Sequence, residues 1–167
     1  RFLNDYFGDS QVGRTAYAYV VDAKGRVLAY RVRSIGGTGA YSSGTANIIP
    51  LVLGPFVQTG VYDLPLVHFE VKSVMTHTAP VGAYRGAGRP EAVFIVERLF
   101  DAAARQIGMD PRTIRKVNYI KPAQLPYTNA VGQVYDSGAF AHMLERASDL
   151  ADTARKRAPE FADVARD

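Results

Sequence analysis

Residues 79–107 read APVGAYRGAGRPEAVFIVERLFDAAARQI, a glycine-rich loop that leads into the clearest helix signal of the chain. Pro90 and Glu91 suit a helix start, because proline needs no hydrogen-bond partner there and an acidic group complements the N-terminal dipole. Gly108 is a typical stop residue. The stretch therefore predicts a helix over 91–107 with one buried face at helical spacing: Ala92, Ile95, Val96, Leu99, Ala102, Ala103 and Ile107.

Strands are predicted upstream of this loop. Residues 15–22 read TAYAYVVD and residues 26–35 read RVLAYRVRSI, which are rich in tyrosine and β-branched residues. The tetrad DAKG at 22–25 is a turn, so the two strands are predicted to form an antiparallel hairpin. A third strand is predicted over 66–76, where apolar and polar residues alternate.

Residues 48–57 are apolar but interrupted by Pro50, Gly54 and Pro55, and a broken helix or turns are predicted there. Downstream of the first helix, Asp110 and Pro111 predict the start of a second helix that runs to about Asn118.

Residues 122–132 are a predicted loop. Asp136 or Ser137 is expected to cap a third helix, and Pro159 is expected to break whatever helix follows. Strands precede helices, which predicts an α+β fold with antiparallel or mixed strands in the N-terminal half, packed with helices from the C-terminal half.

The composition is that of an ordinary globular chain, with 167 residues, 47% hydrophobic and 22% charged. The absence of cysteine excludes disulfides, iron–sulfur ligation and a thiolate nucleophile within the chain, and fits a cytoplasmic location. The net charge is +4 but the basic residues are dispersed, so no nucleic-acid partner is expected. No membrane span is expected, and residues 1–5 lack the features of a signal peptide.

Candidate catalytic residues outside the loop are few. His68, His77 and His142 are scattered along the chain without a metal-binding spacing. The carboxylate pairs Glu97/Asp101 and Asp149/Asp152 have helical spacing and are predicted to lie on solvated helix faces.

The loop itself allows two interpretations from its residues alone. Gly86, Ala87 and Gly88 let the backbone approach another group closely, and the helix start that follows suits an anion or an oxo group. However, Glu91 replaces the last small residue of a dinucleotide-binding fingerprint, and a P-loop lysine is lacking. A tight strand-to-helix connection and a ligand site both remain open at this point.

The loop also resembles a known family. Residues 83–89, AYRGAGR, resemble the active-site loop of molybdenum hydroxylases of the xanthine dehydrogenase and aldehyde oxidase family. They look most like the form II, aldehyde-oxidase-like branch of carbon monoxide dehydrogenase large subunits. The resemblance covers most of residues 14–151 through further motifs: GAY at 39–41, VYDLP at 61–65, TAP at 78–80, RPEA at 89–92, ER at 97–98, MDP at 109–111, RKVN at 115–118 and YDSG at 135–138.

This resemblance implies a cofactor and a reaction. The cofactor is molybdenum held by molybdopterin, in the cytosine dinucleotide form, and the reaction oxidises an aldehyde or an N-heterocycle with oxygen from water. Electrons then pass to iron–sulfur clusters and FAD on partner domains or subunits. The implied cofactor-binding residues are Ala83, Tyr84, Arg85 and Gly86, with the backbone of Arg85 near an oxo ligand of the metal and no side chain ligating it.

Departures from the family narrow the expected chemistry. Gly86 stands where carbon monoxide dehydrogenases carry a copper-binding cysteine, which argues against copper. Ala87 stands where xanthine dehydrogenases carry a phenylalanine, and Leu53 aligns with their substrate arginine. The resemblance thus makes Ala87 and Leu53 lining residues of a substrate pocket that is not shaped for xanthine.

The resemblance also marks the chain as incomplete for catalysis. The family's catalytic glutamate lies in a segment that this sequence does not contain. Residues 1–167 are therefore interpreted as one fragment of a molybdenum-cofactor-binding domain, inactive alone, strand-rich over 12–78, with the active-site loop at 79–90 and helices over 91–167. Its expected partners are the rest of the molybdenum subunit, iron–sulfur and FAD subunits, and a small-molecule substrate. The alternative is a cofactor-free interaction or structural module.

Overall fold

The structure is a computed structural model that describes residues 6–10 and 13–164. The signal-peptide prediction for residues 1–5 and the predicted start of the strand-rich part at residue 12 lie outside these residues. One sheet holds four strands in the order β1–β2–β3–β4. The strands are β1 (Tyr6–Ser10), β2 (Gly13–Val21), β3 (Val27–Gly37) and β4 (Val67–Val74).

The sheet is mixed. β1 with β2 and β2 with β3 pair antiparallel, whereas β4 lies parallel to β3. The predicted hairpin is confirmed, and its turn is held by Asp22, whose carbonyl accepts from the Gly25 N–H at 3.0 Å. The Asp22 carboxylate also accepts from the N–H groups of Lys24 and Arg26, at 2.9 and 2.8 Å. This side chain therefore satisfies the backbone of its own turn.

The segment between β3 and β4 is a broken helix, as predicted. It consists of α1 (Gly44–Ile48), a π-helical turn (Ile49–Leu53) and α2 (Gly54–Phe56). The Ser43 hydroxyl caps α1 by accepting from the Ala46 N–H at 3.2 Å.

The long helix α3 (Arg89–Ile107) begins two residues before its predicted start and ends at Gly108, which has a left-handed φ of +69°. Its buried face packs against the sheet, and only Ile95 and Ile107 of the predicted set remain partly exposed. The core contains buried side chains from both halves of the chain. They are Tyr19, Val21, Val27, Tyr30 and Val32 from the sheet, Tyr62 and Leu64 from the loop between α2 and β4, and Val96, Leu99, Phe100, Ala103 and Ala104 from α3.

The second helix, α4 (Pro111–Asn118), is confirmed with its cap. The carboxylate of Asp110 accepts from the N–H groups of Thr113 and Arg112, both at 2.9 Å. The backbone bond from Thr113 is the main cause that lowers the pKa of Asp110 below its usual range.

The last part of the chain departs from two predictions. The third helix, α5 (Phe140–Val164), begins beyond Asp136 and Ser137, so neither residue caps it. Their side chains bind each other instead, because the Ser137 hydroxyl donates to the Asp136 carboxylate at 3.0 Å. The predicted break at Pro159 is also wrong, since the helix continues to Val164. The φ of proline is compatible with a helix, so the helix can continue through it. The cost is one lost backbone hydrogen bond, because proline has no N–H group.

The predicted loop over 122–132 is only partly irregular. It contains a 3₁₀ turn (Pro122–Gln124) and strand β5 (Tyr127–Thr128), which pairs antiparallel with β6 (Val134–Tyr135). The architecture as a whole is the predicted α+β arrangement of sheet and helices.

One polar side chain joins the sheet half to the helical half, and another joins α3 to α4. The Asn118 side chain, 2% exposed, accepts from the Val27 N–H at 2.8 Å and donates to the Gly25 carbonyl at 2.7 Å. Within the helices, Arg115 donates to Glu97 at 2.7 Å and to Asp101 at 2.9 Å. Burial of Arg115 opposes its charge, but these carboxylates outweigh that effect and raise its pKa above its ordinary value.

We predict that Asn118→Ala destabilises the protein strongly. The change leaves a buried N–H and a buried carbonyl without partners, which costs about 3 kcal/mol of unfolding free energy. Gln124→Ala is the control, because it removes an exposed side-chain amide that makes two hydrogen bonds. We expect it to lower the free energy of unfolding by less than about 1 kcal/mol, because water replaces those bonds. Denaturant unfolding of the two variants measures the difference, and equal losses would contradict the prediction.

Candidate functional site

The glycine-rich loop starts where β3 and β4 end side by side. The Ala40 N–H donates to the Thr78 carbonyl at 2.9 Å, and the Thr76 N–H donates to the Gly39 carbonyl at 3.0 Å. The Ser43 hydroxyl donates to the Val81 carbonyl at 3.3 Å. These bonds fix the first half of the loop to the end of β3 and to the start of α1.

The other end of the loop packs against α2. Gly88 has a left-handed φ of +88°, and a Cβ atom there would lie 3.0 Å from the Gly54 nitrogen and 3.2 Å from its Cα. Such distances are tighter than most Cβ contacts and the positive φ adds strain for any side chain, so glycine is strongly favoured at position 88. The start of α3 thus rests directly on the backbone of α2.

A buried glutamine, Gln58, strengthens this junction. It is 5% exposed, and its side-chain amide donates to the Tyr30 hydroxyl at 3.0 Å and to the Ala92 carbonyl at 3.3 Å. Burial is the main cause that raises the pKa of Tyr30, so the phenol stays neutral while its oxygen accepts the Gln58 hydrogen bond. Gln58 therefore ties the first turn of α3 to β3.

Sequence reasoning did not single out Gln58. The only feature of the sequence that could have indicated it is that the Gln58 amide lies in a long stretch without charged residues, from position 41 to position 60. A buried amide next to apolar residues needs partners, which points to a structural or positioning role. Its partners lie 28 and 34 positions away, so the sequence could not name them.

The middle of the loop faces outward. Tyr84 is 87% exposed, and Arg85 is exposed as well. The loop is closed on itself by two bonds, from the Ala87 N–H to the Tyr84 carbonyl at 2.9 Å and from the Arg89 N–H to the Gly86 carbonyl at 3.1 Å. Among residues 6–10 and 13–164, the N–H groups of Arg85 and Gly86 have no hydrogen-bond partner.

This arrangement fits an oxo-bearing or anionic group. It offers unpaired backbone donors, small side chains at the point of approach, and the positive end of the α3 dipole. The guanidinium groups of Arg85 and Arg89 add positive charge. The predicted cofactor-binding residues Ala83, Tyr84, Arg85 and Gly86 are therefore suitable in kind, although their role stays a prediction.

The two predicted pocket residues come from neighbouring segments. Leu53 is half-buried and immediately precedes Gly54, the residue whose backbone lies against Gly88. Ala87 immediately precedes Gly88 and has a positive φ of 35°. The fold thus brings positions 53 and 87 to the same junction, and their contact with a substrate stays a prediction.

The other candidates do not form a site. In the described part of the chain, His68, His77 and His142 belong to no group of three side chains that could hold a metal. Glu97 and Asp101 bind Arg115, which explains both carboxylates without a catalytic role. A cavity of about 190 Å³ lies between Arg26, Asp63 and Lys121, and no loop residue lines it.

Across the described residues, no helix combines the length and the apolarity that crossing a membrane requires.

Comparison with known proteins agrees with this geometry. The molybdopterin cofactor-binding domain family matches residues 8–119. The carbon monoxide dehydrogenase large chain of Hydrogenophaga pseudoflava is 35% identical over 96% of this chain and 19% of its own length. The nicotine 6-hydroxylase large subunit of Paenarthrobacter nicotinovorans is 29% identical over 80% of this chain and 16% of its own length.

Among solved structures, quinoline 2-oxidoreductase from Pseudomonas putida 86 superposes with a TM-score of 0.79 at 33% identity, over 92% of this chain and 20% of that one. The chain therefore spans about a fifth of the length of the proteins it matches. The family match covers most of the chain and the fold is shared at clear sequence identity, so the chain belongs to the molybdopterin cofactor-binding domain family.

Proposed function

We propose that this chain forms one wall of the active site in the large subunit of a molybdenum hydroxylase. The observation that carries the proposal is the loop over residues 84–88, which is exposed at Tyr84 and Arg85 and leaves the N–H groups of Arg85 and Gly86 unpaired beside a helix start. The family match supports the identity of the group that the loop faces. When bound, pterin-held molybdenum supplies two-electron oxidation of a carbon centre with oxygen derived from water.

The residues of the chain have the task of holding and orienting that cofactor. Backbone donors at Arg85 and Gly86 bind an oxo group without any change in their own position, because the turn is already closed by its internal hydrogen bonds. Ala83 and Tyr84 complete the contact on the exposed side of the loop. Gln58 and Gly54 keep the loop in place from behind.

The substrate that we propose is an aldehyde or an N-heterocycle other than xanthine. Leu53 offers an apolar wall without the charge that a purine-binding arginine would supply, and Ala87 leaves room where a phenylalanine would pack. Gly86 has no thiolate to bind copper, so the proposed site holds molybdenum alone.

The proposal includes partners outside this chain. The relatives are named as large chains and large subunits, which supports a multi-subunit enzyme. We propose that the remainder of the molybdenum subunit supplies the catalytic glutamate, that iron–sulfur and FAD subunits receive the electrons, and that the cofactor is the cytosine dinucleotide form. We propose a cytoplasmic location for the whole enzyme.

The alternative of a cofactor-free module gains nothing from the structure. An occluded loop would favour it, because a loop packed beneath its own helix could serve as a structural turn. Tyr84 instead has 87% of its surface exposed and Arg85 is exposed as well, and only Gly88 at the end of the loop is buried against α2.

We predict that the full-length protein, purified from its own host, contains molybdenum and organic pterin near one equivalent per chain. Elemental analysis and pterin fluorescence measure both, and copper is measured as a control that should be absent. A folded and matured protein without molybdenum would overturn the proposed function. Loaded protein is then screened with aldehydes and N-heterocycles, using an artificial electron acceptor.

We predict that Gly86→Ala lowers turnover while the protein stays folded. Gly86 has a φ of +104°, so a side chain strains the loop by about 1 kcal/mol and shifts its N–H groups. Gly132→Ala is the matched control, because Gly132 also has a positive φ of 84° but open space around it. Gly86→Ala should lose somewhat more thermal stability, because its Cβ would also lie 3.3 Å from the Pro90 ring, and an equal loss of turnover in both variants would contradict the role of the loop.

We predict that Ala87→Phe changes substrate selection. A phenyl ring at the pocket wall should raise KM for bulky substrates by at least about tenfold and spare small aldehydes, because the effect is steric. Ala130→Phe places the same ring at an exposed position far along the chain and should leave KM unchanged. Equal KM values in the two variants would remove Ala87 from the pocket.

A further inference from the structure

Gln58 is a buried polar side chain that connects the core to the first turn of α3. Its amide nitrogen donates to the Tyr30 hydroxyl at 3.0 Å and to the Ala92 carbonyl at 3.3 Å. Tyr30 is only 2% exposed, and its ring meets that of Phe69 in β4 edge-on, with the ring centroids 6.0 Å apart. The acceptor at the sheet end of this connection is therefore held by two strands.

The connection continues from Ala92 to the loop through backbone hydrogen bonds. The Ala92 N–H donates to the Gly88 carbonyl at 3.1 Å, and the Arg89 N–H donates to the Gly86 carbonyl at 3.1 Å. The Arg89 side chain also donates to the Gly86 carbonyl, at 3.4 Å. The position of the first turn of α3 therefore determines where Gly86 lies.

The backbone of Gln58 is anchored independently of α3. Its N–H donates to the Pro55 carbonyl in α2 at 3.2 Å. The next residue, Thr59, is fully buried, and its hydroxyl accepts from the Asn129 side chain at 2.9 Å. A shift of α3 would not carry Gln58 with it, so the amide opposes such a shift.

An amide at position 58 does more than fill space. A buried amide costs free energy unless it is hydrogen-bonded, whereas a leucine would fill a similar volume without that cost. In the part of the chain that the structure describes, no buried side-chain nitrogen or oxygen lacks a hydrogen-bond partner. Hydrogen bonds restrict distance and angle, and a fully paired buried network makes its surroundings rigid. Gln58 thus restricts the distance between α2 and the start of α3.

We propose that Gln58 is a positioning residue of the candidate site. Its bonds to Tyr30 and Ala92 hold the first turn of α3, and that turn holds the unpaired N–H groups of Arg85 and Gly86 in place. The proposal rests on the proposed function, because it takes these groups as donors to an oxo group. A displacement of about 1 Å can lower a rate roughly hundredfold, so loss of Gln58 should lower kcat more than substrate binding.

The test is amide hydrogen–deuterium exchange, followed by mass spectrometry on the full-length protein in its purified complex. Gln58→Leu replaces the amide by an apolar side chain of similar size. Tyr30→Phe removes only the acceptor hydroxyl and is the second variant if the first misfolds. Asn118→Ala is the matched control, because it also removes a buried amide, 2% exposed, but one that joins α4 to the turn between β2 and β3.

The expected result is exchange over residues 84–92 that is at least about tenfold faster in Gln58→Leu than in the parent protein. With an aldehyde or N-heterocycle that the parent oxidises, kcat should fall at least about tenfold while KM stays within about twofold. Tyr30→Phe should change both quantities in the same direction. Asn118→Ala should leave exchange over residues 84–92 and kcat as they are in the parent.

Unchanged loop exchange in Gln58→Leu and Tyr30→Phe would overturn the proposal. An equal change in Asn118→Ala would do so as well, because the effect would then follow general destabilisation. Faster exchange with an unchanged kcat in molybdenum-loaded protein would also overturn it. Molybdenum is measured on the same samples. Faster loop exchange in variants of a parent protein that binds no molybdenum would overturn the proposed function and leave the control of the loop by Gln58 intact.

Discussion

Burial of one face of α3 against the four-stranded sheet is the constraint on which the rest of the structure depends. Small residues at positions 103 and 104 let the helix approach, and Val96, Leu99 and Phe100 share one core with Tyr30 and Val32 of the sheet. Each buried aliphatic or aromatic side chain contributes roughly 1.5–3 kcal/mol relative to exposure. The polar bonds of Asn118 and Arg115 then fix the direction in which α4 leaves this core.

The position of the loop follows from that packing. Once α3 lies on the sheet, its first turn can be fixed by two contacts behind it, the backbone of Gly54 against Gly88 and the amide of Gln58 on the Ala92 carbonyl. A loop held at both ends can keep its unpaired N–H groups in one arrangement before a ligand arrives. Preorganised donors of this kind stabilise charge without reorganisation, and a rigid scaffold below them is what makes them useful.

The surface of the chain divides by chemistry. Charged pairs such as Arg33 with Glu70 lie on the exposed side of the sheet, where Arg33 and Glu70 meet at 2.9 Å. The segment that borders the loop has no charge over 20 positions and exposes apolar side chains. The surface therefore has a charged part on the sheet and an uncharged part along residues 41–60.

The sequence by itself determined the elements that depend on local signals. The Asp22 turn, the Asp110 cap, the proline at the start of α3 and the stop at Gly108 act within a few residues, so the hairpin, α3 and α4 were predictable. The resemblance of residues 83–89 pointed to the loop before any geometry was known. The start of α5 was missed, because Asp136 and Ser137 bind each other rather than a helix. Only the tertiary structure decided the parallel pairing of β4 with β3, the burial of Gln58, the junction of positions 53 and 87, and the exposure of apolar side chains over residues 48–56. These features join residues that are distant along the chain, and side-chain spacing along one segment cannot say which of its faces finds a partner.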